Sequence, residues 1–473
     1  MRLNASPRAV YASKYALRRL NPSFNVAQNL RISLCFCRPF IAALAGIFAV
    51  SVSGCAVSRG SSTAMASAHA QLPQERAAQA DSFIDSIGVG THLSYTDTPY
   101  FTAWPQVLNA LQTLGVRHIR DGYYAWAPSS PFIAEHQALA NAGFRTDYVV
   151  PMNSTTTPET IERFESEARD MEQLEAPNEC DVAGNCGPTV LAGIDNMLGF
   201  LPTIDDAGTK LGIPVVGPSL TQPSSYAATG NISKEIADSN LHIYFGGRNP
   251  GSTGWGGLDS EGNSYGSFSF WIDEANTGAP GMPVEVTETG YIAYPTTTTP
   301  YTLPESVEAS YIPRTLLLAF QKGIRRTYLY ELLDEVSSPG YGILHSNLTP
   351  KPAFTAVENL ISNLQDRGPS FTPGALEYSI EGGGPNLNHL LLQKRDGSFW
   401  LILWLEEASF DPVTAAPITV TPQQVTLTLA VPDARQLLQW DTRGNMNWSN
   451  VTMQGNTLAL KVSDQISIVK MVQ

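Results

Sequence analysis

Two rhythms of apolar and polar residues alternate along the middle of the chain. Short apolar or period-two runs at Ser86–Leu93, Val116–Arg120, Arg145–Val150, Leu174–Glu179, Ile213–Gly217, Leu241–Phe245, Val284–Glu288 and Arg326–Tyr330 predict eight strands. Between them the spacing turns helical. It runs through Trp104, Val107, Leu108, Leu111 and Leu114, over Pro131–Ala142, and through Ile161, Phe164, Ala168 and Met171 behind the start signal Thr157-Pro158-Glu159. Further helices are expected from Val190 to Leu201, over Phe268–Ala275 and Ser306–Lys322, and from Phe354 to Leu364. Eight strand–helix alternations with no glycine-rich phosphate loop favour an α/β protein built on a (β/α)8 barrel, placed at residues 81–367, over an open doubly wound sheet. Past Gly368 the pattern changes to short alternating runs, Ala375–Ile380, Leu390–Lys394, Phe399–Trp404, Val425–Val431, Gln436–Trp440, Thr457–Val462 and Ile466–Met471, joined by turns such as Arg395-Asp396-Gly397. That pattern predicts a C-terminal antiparallel β-sandwich over 368–473.

The N-terminal end follows neither rhythm. Arg31 and Arg38, the apolar Pro39–Val52 and the small residues Ser53-Gly54 before Cys55 read as a secretory signal over 1–54. Val52-Ser53-Gly54-Cys55 also resembles the bacterial lipobox, which implies cleavage before Cys55, lipid on its sulfur and an exported protein anchored to a bacterial membrane. A plain secretory signal with an incidental cysteine is the alternative. Residues 55–80, rich in Ala, Ser and Gln, are expected to be a flexible tether. The net charge of −14 includes seven Lys/Arg and no acid within 1–54, so the rest of the chain is more acidic still and nucleic acid is not an expected partner. If Cys35 and Cys37 leave with the signal and Cys55 takes the lipid, Cys180 and Cys186 remain, an even pair expected to form a disulfide in an oxidising compartment. With no histidine nearby they make a poor metal site.

In a barrel, residues at the C-terminal ends of strands face substrate, whereas carboxylates elsewhere are mostly solvated. That filter puts Glu179 and Glu288 first, about three strand–helix units apart. Two facing carboxylates suit glycosidic cleavage, one protonating the leaving oxygen and the other attacking the sugar carbon or activating water. Ion pairs at the barrel rim are the other reading. Asn178 precedes Glu179, Thr287 precedes Glu288, and Arg120 ends strand two. On these residues the chain, over most of 83–365, resembles clan A of the glycoside hydrolases, the (β/α)8 retaining enzymes. The resemblance implies Glu179 as general acid/base, Glu288 as nucleophile and Asn178 as partner of the sugar 2-hydroxyl. It implies that Arg120 holds Glu288 ionised, and that His242 and Tyr244 are the active-site histidine and tyrosine of strand six. Two positions depart from the clan pattern: Tyr330 or Glu331 stands where a tryptophan commonly ends strand eight, and Cys180 stands where many relatives have proline. The segment from Tyr341 to His345 followed by Thr349–Pro352 resembles the xylosidase-like and endoglucanase-like members, which commonly carry a β-sandwich.

Other residues enter as lesser candidates. His92, at the end of strand one, is a candidate for sugar contact. Tyr123, Tyr124, Trp126, Trp255, Trp271 and Tyr291 sit in loops expected on the active face, where aromatic rings stack on apolar sugar faces; half are expected to be packing. Glu175 rivals Glu179 but comes too early in the strand to stand at the mouth. The glycine-rich loop Gly246 to Gly266 is long enough to be functional. The expected activity is retaining hydrolysis of O-glycosidic bonds in an oligo- or polysaccharide, with no metal and no cofactor. The alternative is a non-catalytic glycan-binding lipoprotein on the same scaffold. A metal-dependent phosphodiesterase is disfavoured, because no histidine–carboxylate set is evident at the strand ends.

Overall fold

The computed structural model describes residues 72–124, 130–251, 258–431, 434–441 and 443–472. The predicted signal, Cys55 and most of the tether lie outside the described residues, as do Trp126 and Trp255. The eight predicted strands form one parallel sheet: β1 (Ile87–Gly90), β2 (His118–Gly122), β3 (Arg145–Val149), β4 (Met171–Glu175), β5 (Val215–Val216), β6 (Ser239–Ile243), β7 (Val284–Thr289) and β8 (Thr327–Leu329). Its order is β5-β4-β3-β2-β1-β8-β7-β6. The edges join where the Ala237 amide donates to the Val215 carbonyl at 2.7 Å and the Gly217 amide to the Asp238 carbonyl at 2.8 Å, so the sheet closes into a barrel. The expected α/β barrel is the observed one.

Local chemistry explains where the observed elements depart from the pattern. The fourth strand is Met171–Glu175 and not Leu174–Glu179. Pro177 has no N–H for the ladder, and Glu179 takes a left-handed φ of 47°, so the chain turns as it leaves β4 and Glu179 projects from that turn. The fifth strand shrinks to two residues, and the short helix after it, Pro223–Ala228, is too brief to show a helical period. Elsewhere helices end as their sequences direct; Thr157 and Thr160 form a reciprocal capping box at the start of Pro158–Ala168. Barrel interiors are usually packed with branched apolar side chains. Here alternate strand positions put Arg120, Asp147, Gln173, Glu175, Asn240, Glu285 and Thr287 into buried surroundings, while Ile119, Tyr148, Leu174, Leu241, Ile243 and Val286 belong to the main apolar cluster.

After the barrel the chain forms two larger, mainly antiparallel sheets and a short two-stranded one, Phe410–Asp411 with Ala416–Pro417. One contains Ala375–Gly382, Gln423–Leu429 and Thr457–Val462; the other contains Leu387–Gln393, Phe399–Leu405, Ser467–Met471, Ala434–Trp440 and Met446–Asn450. Each also takes a strand from the far end of the chain. Gln74–Arg76 pairs with Ala375–Gly382, and Ala78–Gln79 pairs with Leu387–Gln393. The last residues of the expected tether are therefore strand, because their backbone groups complete sheet edges that would otherwise be open. Phe399–Leu405 is buried along its whole length. Its odd positions, Phe399, Leu401, Leu403 and Leu405, pack between the two sheets, and its even positions, Trp400, Ile402 and Trp404, join the barrel's cluster. Each such side chain contributes about 1.5–3 kcal/mol by leaving water, so this one strand fastens the sheets to the barrel.

Candidate active site

Strands β2, β4, β6 and β7 deliver their C-terminal ends to one cluster. Arg120 on β2 is 6% exposed and is its hub. Its Nε and Nη2 donate to Glu175 at 2.6 and 2.9 Å, its Nη1 to Glu288 at 2.5 Å, and Nη2 also to Asn178 Oδ1 at 2.8 Å. Glu175 is fully buried and takes the guanidinium in bidentate fashion. It is thus the counter-ion beneath the site and not the rival acid, because its carboxylate is spent on Arg120 before it could reach solvent. Arg120 consequently serves two carboxylates, where the resemblance assigned it to one.

Glu288 ends β7 with its second oxygen, Oε2, accepting from the Tyr244 hydroxyl at 2.8 Å. Burial raises its pKa, but His242, Arg120 and the Tyr244 hydrogen bond together outweigh burial and hold Glu288 below the ordinary carboxylate value. Gly290 follows at once. A Cβ there would meet the Tyr330 carbonyl at 2.2 Å, so glycine is what lets the ends of β7 and β8 approach.

His242 joins the two acids. Its Nδ1 lies 3.0 Å from Glu179 Oε1 and 3.5 Å from Glu288 Oε2, and its Nε2 lies 3.1 Å from Thr287 Oγ1. The Thr287 hydroxyl donates to Asn240 Oδ1 at 2.8 Å, so it accepts from Nε2. Nδ1 faces the carboxyl groups of both acids. Burial works against a charged ring, but Glu288 and Glu179 outweigh it and raise the His242 pKa. One oxygen each of Glu179 and Glu288 and a ring nitrogen of His242 all lie within 4.8 Å of one another. The Glu179 and Glu288 side chains are 15% and 11% exposed, so both reach solvent from the same mouth.

Glu179 is positioned from two sides. Its amide donates to Ser219 Oγ at 3.3 Å after β5, and Asn185 Nδ2 donates to its carbonyl at 3.1 Å. Cys180 and Cys186 form the expected disulfide, which closes the loop directly after Glu179. Gly193 lies against that loop; a Cβ on it would meet the Cys180 carbonyl at 2.0 Å. The other wall is aromatic. Tyr244 meets Tyr330 and Tyr341 edge-on, with ring centroids 6.4 and 5.7 Å away. Tyr341 comes after β8 and stood in the sequence only as part of a family-like segment.

The remaining candidates divide. Tyr123 and Tyr291 are buried packing residues, and Trp271 packs with Phe270 and Tyr226 on the outer helix layer. Tyr124 is 37% exposed. His92 stacks on Tyr95 and turns its Nε2 to Glu331, 3.5 Å away, instead of to Glu179 or Glu288. Glu331 is fully buried, which leaves Tyr330 as the partly exposed residue at that strand end. No signal along the chain marks Glu335 as a neighbour of His92 and Glu331, because that set is assembled across the β1–β8 seam.

No family model matches the chain, and no curated protein matches it in sequence. Among solved structures the chain is similar to the catalytic domain of the GH30 xylanase C from Talaromyces cellulolyticus, with a TM-score of 0.52 and 11% identity over 85% of this chain and 98% of that one. At that identity the likeness establishes a shared fold, a near-closed parallel barrel with added antiparallel sheets. Looser overlaps carry no functional weight. They include an α-L-arabinofuranosidase from Thermotoga maritima (TM-score 0.45, 11% identity, 78% of this chain and 89% of that one) and a GH128 endo-β-1,3-glucanase from Amycolatopsis mediterranei (TM-score 0.38, 16% identity, 58% and 99%).

Proposed function

We propose that the chain is a retaining glycoside hydrolase acting on O-glycosidic bonds of an oligo- or polysaccharide, with Glu288 as nucleophile and Glu179 as general acid/base. The observation that carries this reading is the approach of Glu179 and Glu288 carboxylate oxygens to within 4.8 Å. Retaining enzymes hold their carboxyls about 5–5.5 Å apart, whereas inverting enzymes need about 6.5–9.5 Å to admit a water. A fold shared with a xylanase catalytic domain supports the same reading.

In the first step Glu288 forms a bond to the anomeric carbon while the glycosidic C–O bond breaks and Glu179 gives its proton to the departing oxygen. In the second, Glu179 takes a proton from water, the water oxygen bonds the anomeric carbon, and the bond to Glu288 breaks. The depressed pKa of Glu288 suits a nucleophile that must stay charged. His242 Nδ1 lies 3.0 Å from Glu179, the group that must deliver a proton. Asn178 gives its Oδ1 to Arg120, which leaves its Nδ2 hydrogens for the sugar 2-hydroxyl. A divalent metal at Glu179, His242 and Glu288 fits poorly, because the Arg120 guanidinium already supplies Glu288 with its cation.

Glu179→Gln should lower turnover of substrates with poor leaving groups by about 10²–10⁴-fold while sparing activated aryl glycosides, since a good leaving group needs no proton. Equal loss on both substrates would refute the assignment. Glu288→Gly should abolish turnover, and azide should restore it with an inverted product. Saturable glycan binding by the unaltered protein with no sugar released at any pH would select the binding-protein alternative. Export and lipid anchoring through Cys55, and the division into signal, tether, barrel and sandwich, are parts of the same proposal and rest on the sequence pattern.

A further inference from the structure

A second constellation lies beside the first, where the ends of β1 and β8 meet. His92 follows β1; Glu331 and Glu335 follow β8. A ring nitrogen of His92 and one carboxylate oxygen of each glutamate lie within 4.8 Å of one another, and His92 Nε2 is 3.5 Å from Glu331 Oε2. Two features show that the set lacks a partner. His92 Nε2 and Glu335 Oε1 are buried atoms without a hydrogen bond, although Glu335 is only 5% exposed. No lysine or arginine among the described residues forms an ion pair with either glutamate. Buried polar atoms are normally satisfied, and buried carboxylates are normally paired or bound to a cation.

We propose that His92, Glu331 and Glu335 bind a divalent transition-metal cation of zinc-like preference, which ties the end of β1 to the end of β8 beside Tyr330. One imidazole nitrogen with two carboxylate oxygens is a donor set for such an ion, whereas calcium and magnesium take oxygen ligands. Ligand atoms about 2.1 Å from one ion lie roughly 3.4 Å apart in a tetrahedron. The 3.5 Å between His92 and Glu331 already meets that spacing, and a Glu335 oxygen lies within 4.8 Å of both ligand atoms. The ligands are also held from behind, as metal ligands usually are. Ser338 donates to Glu331 Oε1, Tyr100 to Glu331 Oε2 at 3.4 Å, and Ser337 to Glu335 Oε2 at 3.0 Å, while Tyr95 stacks on the His92 ring. The site does not depend on the hydrolase reading, since neither Glu179 nor Glu288 belongs to it.

The full chain, stripped with EDTA and dialysed against Zn²⁺, should retain one ion per chain by elemental analysis. Titration calorimetry should show binding at least about tenfold weaker in Glu335→Gln and in His92→Ala, and unchanged in Glu179→Gln. Glu335→Gln keeps the side-chain shape, so it tests the site even if His92→Ala misfolds, and the zinc-induced rise in Tm seen in the unaltered protein should vanish in it. Co²⁺ should give a visible absorption band that Glu335→Gln removes. Absence of retained Zn²⁺, or loss of binding in Glu179→Gln with Glu335→Gln unaffected, would overturn the assignment.

Discussion

Arg120 reaches Glu175, Glu288 and Asn178 at once because a planar guanidinium presents several donors in a fixed fork. Lysine offers one point charge and cannot replace it. Arg120→Met should cost about 3–5 kcal/mol in denaturant unfolding, since it leaves two buried carboxylates without their cation. It should also move the acidic limb of any pH–rate profile upward, because Glu288 loses an interaction that favours its ionised form. The sign of the stability effect at Glu288 follows from its lowered pKa. Its contribution is present above the unfolded value of about 4.3 and is lost as pH falls through the folded value. In Glu288→Gln the dependence of Tm on pH below about 4 should accordingly flatten. Glu285 has the opposite sign. Burial, only partly offset by Arg326 and Arg325, raises its pKa to about 7, so its cost to the folded state grows as pH rises from about 4.3 toward 7. Glu285→Gln should therefore raise Tm more at pH 8 than at pH 5. An unchanged difference between those two pH values would show that Glu285 is already ionised in the folded protein.

At the scale of elements, the loop after β6 begins two residues past Tyr244 and is held by a residue of the C-terminal sheet region. Glu406, just beyond Phe399–Leu405, accepts from Asn249 Nδ2 at 2.7 Å, the Gly251 amide at 3.2 Å, Trp404 Nε1 at 3.0 Å and Arg314 Nε at 3.1 Å. Arg314 lies on the buried helix Glu305–Gln321, between β7 and β8 in the chain. Glu406→Ala should cost about 3–5 kcal/mol by stranding Arg314, and hydrogen exchange should accelerate at Arg248 and the loop residues after it. Adding Arg314→Met should recover part of the stability and leave the exchange fast, because Asn249 and Gly251 still lack their acceptor. The disulfide is a smaller effect. Cys180→Ser with Cys186→Ser should lower stability by about 2 kcal/mol, the loop being short. Element boundaries were legible in the sequence where a cap or glycine marks them, as at Thr157 and Gly115. They were not legible at β4, where the pattern runs on to Glu179 but Pro177 and a left-handed Glu179 end the ladder sooner.

For the whole molecule, Phe399–Leu405 makes the barrel and the sheets one packed body, and the strands at Gln74–Arg76 and Ala78–Gln79 bring the start of the described chain to the same sheets. A chain ended after Arg367 should be insoluble or aggregated by size-exclusion chromatography, because the barrel face against Trp400, Ile402 and Trp404 would be bare. Radiolabelled fatty acid should be incorporated into the exported protein and not into Cys55→Ser, if the lipobox is read by the cell as the sequence suggests. Much of this was written along the chain. Alternating periods of two and 3.6 specify strand and helix, their order specifies a parallel barrel, and the change of period after Gly368 specifies antiparallel sheets. The strand-end acids Glu179 and Glu288 stood out because a barrel turns its strand ends to one face, whereas Arg120, His242 and Tyr244 were singled out by the resemblance to clan A. Distances between strands are a different matter, since local pattern carries no information about which side chains meet across a closed sheet. Only the fold decided that Glu175 would occupy Arg120, that His242 would join the two acids, and that His92 would turn its Nε2 toward Glu331. Those outcomes depend on barrel closure, which brings residues far apart in sequence into the same few ångströms.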